Sequence, residues 1–365
     1  MKFQKGGSLI RLVAFFVIAA VLTCTATFAA SGWQSFLPNE PDSDNAAGDM
    51  PDGEVDENTD GQENNKQDEI TPPQIKHYLT GITIPTDGAS SAPIAFVYGA
   101  NDPLYGISSA IMTVEIPTEN GATRYISLFS EDIYLGKIGS VLPTRDYISG
   151  VATALGAILI YRGNDDAFEY SSGGYSGIDI LENTGYSYTE YSEYHYTNSD
   201  LVNALITNTK TETLRPKSVK APFIHASTDV YGGASALSVV IPYSEANATH
   251  LVYNESERAY VLYKGTTAVK DLLNGKTCAY ENAFVLFASA TTYETAEATE
   301  TVFDTQSGGD GYYFTRGTAQ KITWTTDGDG NLVFYNEVGG LLTVNMGSSY
   351  IAFEKASRKE SVIYS

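Results

Sequence analysis

Hydrophobic and polar positions change rhythm along this chain. Leu12–Leu22 is an apolar run without a charge, and residues 31–73 are nearly empty of β-branched side chains. From there to about residue 215, short apolar runs alternate with helical spacings. Ala95–Tyr98, Ile111–Ile116 and Thr123–Phe129 read as strands. Arg145–Ala157 carries Ile148, Val151, Ala152 and Leu155 at helical spacing and runs into the fully apolar Ile158–Tyr161. Ser199 stands where a cap belongs, ahead of Leu201, Val202, Leu205 and Ile206 on one helical face. Strands alternating with helices predict an α/β domain over residues 74–215.

After residue 215 the rhythm is nearly all strand. Leu237–Ile241, His250–Tyr253, Tyr260–Tyr263, Phe284–Phe287, Tyr312–Thr315, Lys321–Trp324, Leu332–Tyr335, Leu341–Val344 and Tyr350–Phe353 are short and divided by turn signals. Asp327-Gly328 and Asp329-Gly330 are hairpin chemistry. The expected fold is therefore mixed α+β: an α/β domain, then an all-β domain (216–365) built as a sandwich or partly open barrel.

Composition adds a compartment and removes some partners. The net charge is −22, and twelve acidic residues against one lysine between Glu40 and Glu69 supply half of it. Residues 31–73 are expected to be a disordered acidic linker. The remainder is still acidic, which excludes nucleic acid as a partner, because phosphate binding needs local positive potential. Lys2, Lys5 and Arg11 precede the apolar run, so residues 1–30 read as a signal peptide or membrane anchor. Cleavage near Ala29 or Ala30 is one reading; an uncut span over Leu12–Ala30 is another. Both put the body outside, with the membrane touched through the N-terminus alone.

Residues that could carry chemistry are few. Arg124 lies on a strand and Arg145 opens a helix, where two guanidinium groups and a helix N-terminus would suit an anion. The same arginines would equally serve as structural ion pairs with Glu115, Glu119 or Asp146. Tyr175, Tyr186, Tyr188, Tyr191, Tyr194 and Tyr196 suit stacking on sugars, or else half-buried rings on an edge strand. Cys278, next to an apolar strand, reads as a small buried hydrophobe. His77, His195, His225 and His250 have no metal spacing. Asp327, Asp329 and Asn331 imitate the start of a calcium loop, but Leu332 and Val338 stand where its Gly and Glu belong, so the segment reads as a turn. No metal and no cofactor is expected.

Several motifs together resemble the YerB-like family of bacterial lipoproteins, a two-part domain without established activity. They are Leu79-Thr80-Gly81, then Pro103, Gly106, Ser108, Ala110 and Glu115. Glu119, Gly121, Thr123 and Arg124 match its Glu-Gly-Gly-x-Thr-Arg motif, and Ile138-Gly139 with Arg145 match the ends of a second. Where the family has an Arg this chain has Leu142; where it has a His this chain has Tyr161; and His195 lies two positions beyond another family His. The resemblance implies lipidation at Cys24, where Val21-Leu22-Thr23 replaces the usual small residue before the Cys. The candidate ligand-binding set is Glu115, Glu119, Thr123, Arg124, Arg145 and Asp146. The expected function is that of a membrane-tethered envelope module binding a cell-wall glycan, a peptide or an envelope protein. An alternative is an envelope hydrolase or transferase with Glu115 or Glu119 as base and the arginines as clamp.

Overall fold

The apolar runs of both halves pair into one large sheet. The computed structural model describes residues 74–85, 92–130, 134–163, 177–190, 194–209, 219–294 and 299–365. The expectations for residues 1–73, Cys24 among them, lie outside the described residues, as do Tyr175 and Tyr191. In chain order the main strands are β1 (Ile94–Gly99), β2 (Met112–Pro117), β3 (Thr123–Phe129), β4 (Ile158–Tyr161), β5 (Ile178–Asp179), β6 (Ala234–Ser235), β7 (Ser238–Pro242) and β8 (Ala248–Asn254). They continue with β9 (Ala259–Lys264), β10 (Asn282–Ala288), β11 (Gly309–Thr315), β12 (Thr318–Thr326), β13 (Leu332–Asn336), β14 (Ser349–Lys355) and β15 (Ile363–Tyr364). The large sheet runs β6-β12-β11-β10-β14-β2-β3-β1-β4-β5, with β13 also on β12. A smaller sheet holds β15-β7-β8-β9, extended by the short strands Thr267–Ala268 and Ala279–Tyr280.

A separate N-terminal α/β domain is not supported: the molecule is mostly β, and the first half continues the sheet of the second. Strand β14 lies parallel to β10 on one side and to β2 on the other, with Ala352 opposite Glu115. The expectation rested on strands alternating with helices, and that alternation does not say what covers each strand. Strands such as β1 and β3 are buried at every position, a pattern typical of parallel strands sandwiched by helices. Here the two covers are different. Ile94, Phe96 and Tyr98 pack toward the small sheet and helix α2 (Ser199–Asn208). Ala95 and Val97 pack toward α1 (Asp146–Ala154) and the C-terminal strands around Phe334 and Phe353. Burying each such side chain contributes roughly 1.5–3 kcal/mol, so Met112, Val114, Ile351 and Phe353 hold the halves together across the β2–β14 seam.

Both helices fall where the spacing puts them. The cap of α2 is Asn198, whose Oδ1 accepts from the Leu201 N–H at 2.9 Å. Ser199, expected as the cap, accepts the Leu135 N–H through Oγ at 2.7 Å instead. At 327–331 the chain makes a hairpin turn between β12 and β13. The Asp327 carboxylate accepts from the backbone of Asp329 and Asn331 and from Lys220 Nζ. Cys278 is buried, and burial pushes its thiol up to about 12. Among the described residues no helix is long and apolar enough to cross a membrane.

Candidate functional site

Strands β2 and β3 form a hairpin closed by a tight turn at Glu119–Gly121. Side chains on a strand alternate between faces, and the register assigns each candidate residue a side. Glu115 is opposite Tyr125 and Pro117 opposite Thr123, while Ile116 is opposite Arg124. Glu115 and Thr123 therefore point between the two sheets, and Arg124 points to the α1 face. Of the six candidates, the structure gathers Glu119, Arg124 and Arg145 on one side, with Asp146 in the adjacent first turn of α1. It leaves Glu115 and Thr123 on the other.

Glu115 is 0% exposed. Its carboxylate accepts from Thr123 Oγ1 at 2.6 Å, Thr249 Oγ1 at 2.7 Å, Lys264 Nζ at 2.7 Å and the Tyr350 hydroxyl. Thr249 and Lys264 are a cross-strand pair on β8 and β9, so both point inward from the small sheet. Burial, reinforced by the Glu115 charge, holds Tyr350 well above the usual phenol range; its hydroxyl stays protonated and donates. The four partners occupy the carboxylate lone pairs. Glu115 is thus the node through which the first half, the small sheet and β14 are tied.

On the other face, Arg145 Nη2 donates to Glu119 Oε2 at 2.5 Å, and Arg124 Nη1 to the Pro143 carbonyl at 2.7 Å. Tyr147 donates to the Pro117 carbonyl at 3.1 Å. Burial raises the Tyr147 hydroxyl, and the charges of Arg145 and Arg124 oppose that rise, so both guanidinium groups lie close to it. Arg145 itself occupies the N-cap position of α1.

Two latches unseen in the sequence join the halves near this hairpin. Gly121 sits so close to Ser244 that a Cβ would come within 2.6 Å of the Ser244 Cβ, and its φ of 74° suits glycine. Asn247 Nδ2 donates to the Gly121 carbonyl at 2.6 Å. Asp271, fully buried, accepts from the N–H of Gly106 at 2.9 Å, the N–H and hydroxyl of Ser108 at 3.0 and 2.7 Å, and the N–H of Leu273 at 2.8 Å. Gly121, Gly106 and Ser108 were legible as motif residues; their partners Ser244, Asn247 and Asp271 were not. Thr249 and Lys264 did leave a signal: both lie in the inward phase of their strands, with Leu251 and Leu262.

Between these latches runs a groove in two compartments. One, of about 440 Å³, is lined by Asn101, Asn120, Ser244, Asn247 and Lys264 among others. The other, of about 690 Å³, is lined by Asn101, Leu104, Tyr263, Lys264, Lys270 and Leu272 among others. Asn101 and Lys264 belong to both, so the compartments adjoin along the seam. The tyrosines form a separate cluster. Tyr188 and Tyr194 pack around Tyr196, and Lys137 Nζ lies 4.0 Å over Tyr105 and 3.9 Å over Tyr196 while pairing with Glu190 at 2.6 Å. Among the described residues no group of three His, Cys, Asp or Glu is arranged to hold a metal ion.

A seam of this kind, shared by two sequence halves, defines a two-part family. Residues 79–215 match the N-terminal domain and residues 239–351 the C-terminal domain of a protein family of unknown function, DUF3048, and the chain belongs to that family. It is similar in fold to the YerB protein from Bacillus subtilis, known from a crystal structure, with a TM-score of 0.66 and 20% identity over 80% of this chain and 99% of that one. No curated protein matches the chain.

Proposed function

We propose that this protein is a binding module held at the outer face of the cell membrane by its N-terminus, through a lipid on Cys24 or a single apolar helix, with the acidic stretch 31–73 as spacer. The observation that carries the reading is the seam groove. Its walls come from both family halves, and the buried Glu115–Lys264 pair, the Gly121–Asn247 latch and the Asp271–Ser108 latch tie those walls together. A rigid, largely pre-formed concavity is the usual setting for a ligand. The carboxylate-base alternative loses Glu115, which the strand register sets on the face opposite the arginines, and is left with Glu119, which shares their face and is paired with Arg145. Glu119, Arg124 and Arg145 would then support the turn that forms the polar end of the groove, with Asp146 steadying the start of α1.

The test places a photo-crosslinking residue at exposed Thr267, in the groove, of the full-length protein in cells, with Val338, 91% exposed, as the control position. The expected result is membrane fractionation, together with an envelope adduct formed from position 267 and not from 338. Equal adducts at both positions, or none at 267, would reject the groove as the binding site.

A further inference from the structure

The chemistry of the groove narrows its ligand. In the smaller compartment Lys264 is the one charged lining residue, and Glu115 neutralises it at 2.7 Å. What remains is neutral and polar: the carboxamides of Asn101, Asn120 and Asn247 and the hydroxyl of Ser244, set among Gly and Ala. A carboxamide offers one acceptor and two donors in a plane, the complement of a peptide group. Phosphate or polyanionic ligands would find no unspent positive charge there. The larger compartment continues the seam with Leu104, Val269 and Leu272, Leu272 being 54% exposed, and its further charged residues, Asp102 and Lys270, are one of each sign. A neutral saccharide would call for aromatic faces beside the carboxamides; none lines that compartment, and Tyr263 lies in the other one.

Resting on the binding-module reading above, we propose that the seam groove takes an extended, uncharged stretch of polypeptide with small and aliphatic side chains. Its backbone lies on the carboxamides of Asn101 and Asn120 and its side chains lie against Leu272. Each compartment is within the size of ordinary ligand sites, roughly 300–1,000 Å³, so several residues fit along the seam.

The probe is an N-acetylated, C-amidated peptide of six alternating alanines and leucines, titrated into the full chain by calorimetry and by amide NMR. Comparators are a peptide with aspartate in place of leucine and a neutral chitin hexasaccharide. Saturable binding of the neutral peptide is expected, with shifts of the Asn101 and Asn120 side-chain amides. Leu272→Asp should weaken it at least tenfold, and Val338→Asp at a distant exposed site should not. Binding of the saccharide or the acidic peptide in preference, or no saturable binding, overturns the peptide assignment. If the probe fails while the Thr267 adduct still forms, the ligand class is wrong and the module reading stands; if both fail, both fall.

Discussion

Glu115 and Arg145 are both buried charges on or beside one β-hairpin, yet they are held in different ways. Glu115 is enclosed by four donors from three parts of the chain, with Lys264 13% exposed at its side chain. Arg145 leans on Glu119, whose side chain is 34% exposed, four residues further along the same hairpin. The first arrangement joins the family halves; the second is local to the turn and next to water. The difference teaches that position on a strand, and not the presence of a charge in a motif, decides whether a residue locks the fold or is able to meet a ligand.

The largest expected effect breaks the first arrangement. Lys264→Met leaves the Glu115 carboxylate buried beside hydroxyls alone, and removal of one partner from a buried pair costs on the order of 3–5 kcal/mol. Arg145→Ala leaves Glu119, which turns toward solvent, so the loss should be nearer 1–2 kcal/mol, between surface and buried pairs. Urea unfolding of both variants checks the order. Equal losses would erase the distinction between lock and local pair.

Much of this was legible from the sequence, and the failures have a common origin. Short strand-forming runs placed β3 and β4 to the residue, and the 3.6-residue spacing found α1 and α2. What local pattern cannot carry is which strand lies beside which. Strands alternating with helices read as an α/β sheet because nothing in β1 or β3 announces that one cover is a second sheet from residues 238–264. Gly121 and Arg124 stood out in the motif, but their opposite destinations, Ser244 and Pro143, required the fold. Lys264 is a charge in an inward phase at a strand end, a signal that becomes meaningful only when Glu115 is found in the facing layer.

A second, smaller effect comes from the far end of the same layer. Glu354 is 1% exposed, and burial pushes its carboxyl from 4.5 up to about 7, with the Lys355 N–H, Arg358 and Lys355 opposing and Glu115 adding to the rise. Its Oε2 has no hydrogen-bond partner. The native state thus holds a proton that the unfolded chain releases between about pH 4.5 and 7. Stability from this group is present below 4.5 and falls as pH rises through 7. Glu354→Gln should remove the fall, leaving the variant about 1–3 kcal/mol more stable relative to wild type at pH 8 than at pH 4.5. Denaturant titrations at the two pH values measure it. A difference that does not change with pH would show that burial does not hold a proton on Glu354.

The smallest effect has the opposite sign and sits where the described chain begins. Leu79 is fully buried, and the segment around it is tied down by histidines: His225 Nε2 bonds the Tyr78 carbonyl at 3.1 Å, and the His77 ring stacks on Tyr78. Burial lowers both histidines; His225 adds to the shift of His77, and Lys76 to that of His225, against the Tyr78 carbonyl. His225 Nδ1 is buried without a partner, as suits a neutral ring donating through Nε2. With folded values below 6.5, the native state binds fewer protons than the unfolded chain as the solution is acidified. This stability is complete above pH 6.5 and is lost as pH falls from there toward the folded values. The loss should show first as local opening, because the short strand pair Gln74–Lys76 and Thr83–Pro85 around this segment is held by few contacts. Hydrogen exchange of residues 76–82 should accelerate between pH 7 and 5, after correction for intrinsic rates, while β10 and β14 change little. His225→Phe should lower protection by about 1 kcal/mol at neutral pH through the lost hydrogen bond and flatten its dependence on pH. Unchanged pH dependence in that variant would show that the segment is held by Leu79 packing and the Tyr78–Leu155 hydrogen bond, and that the histidines only accompany it.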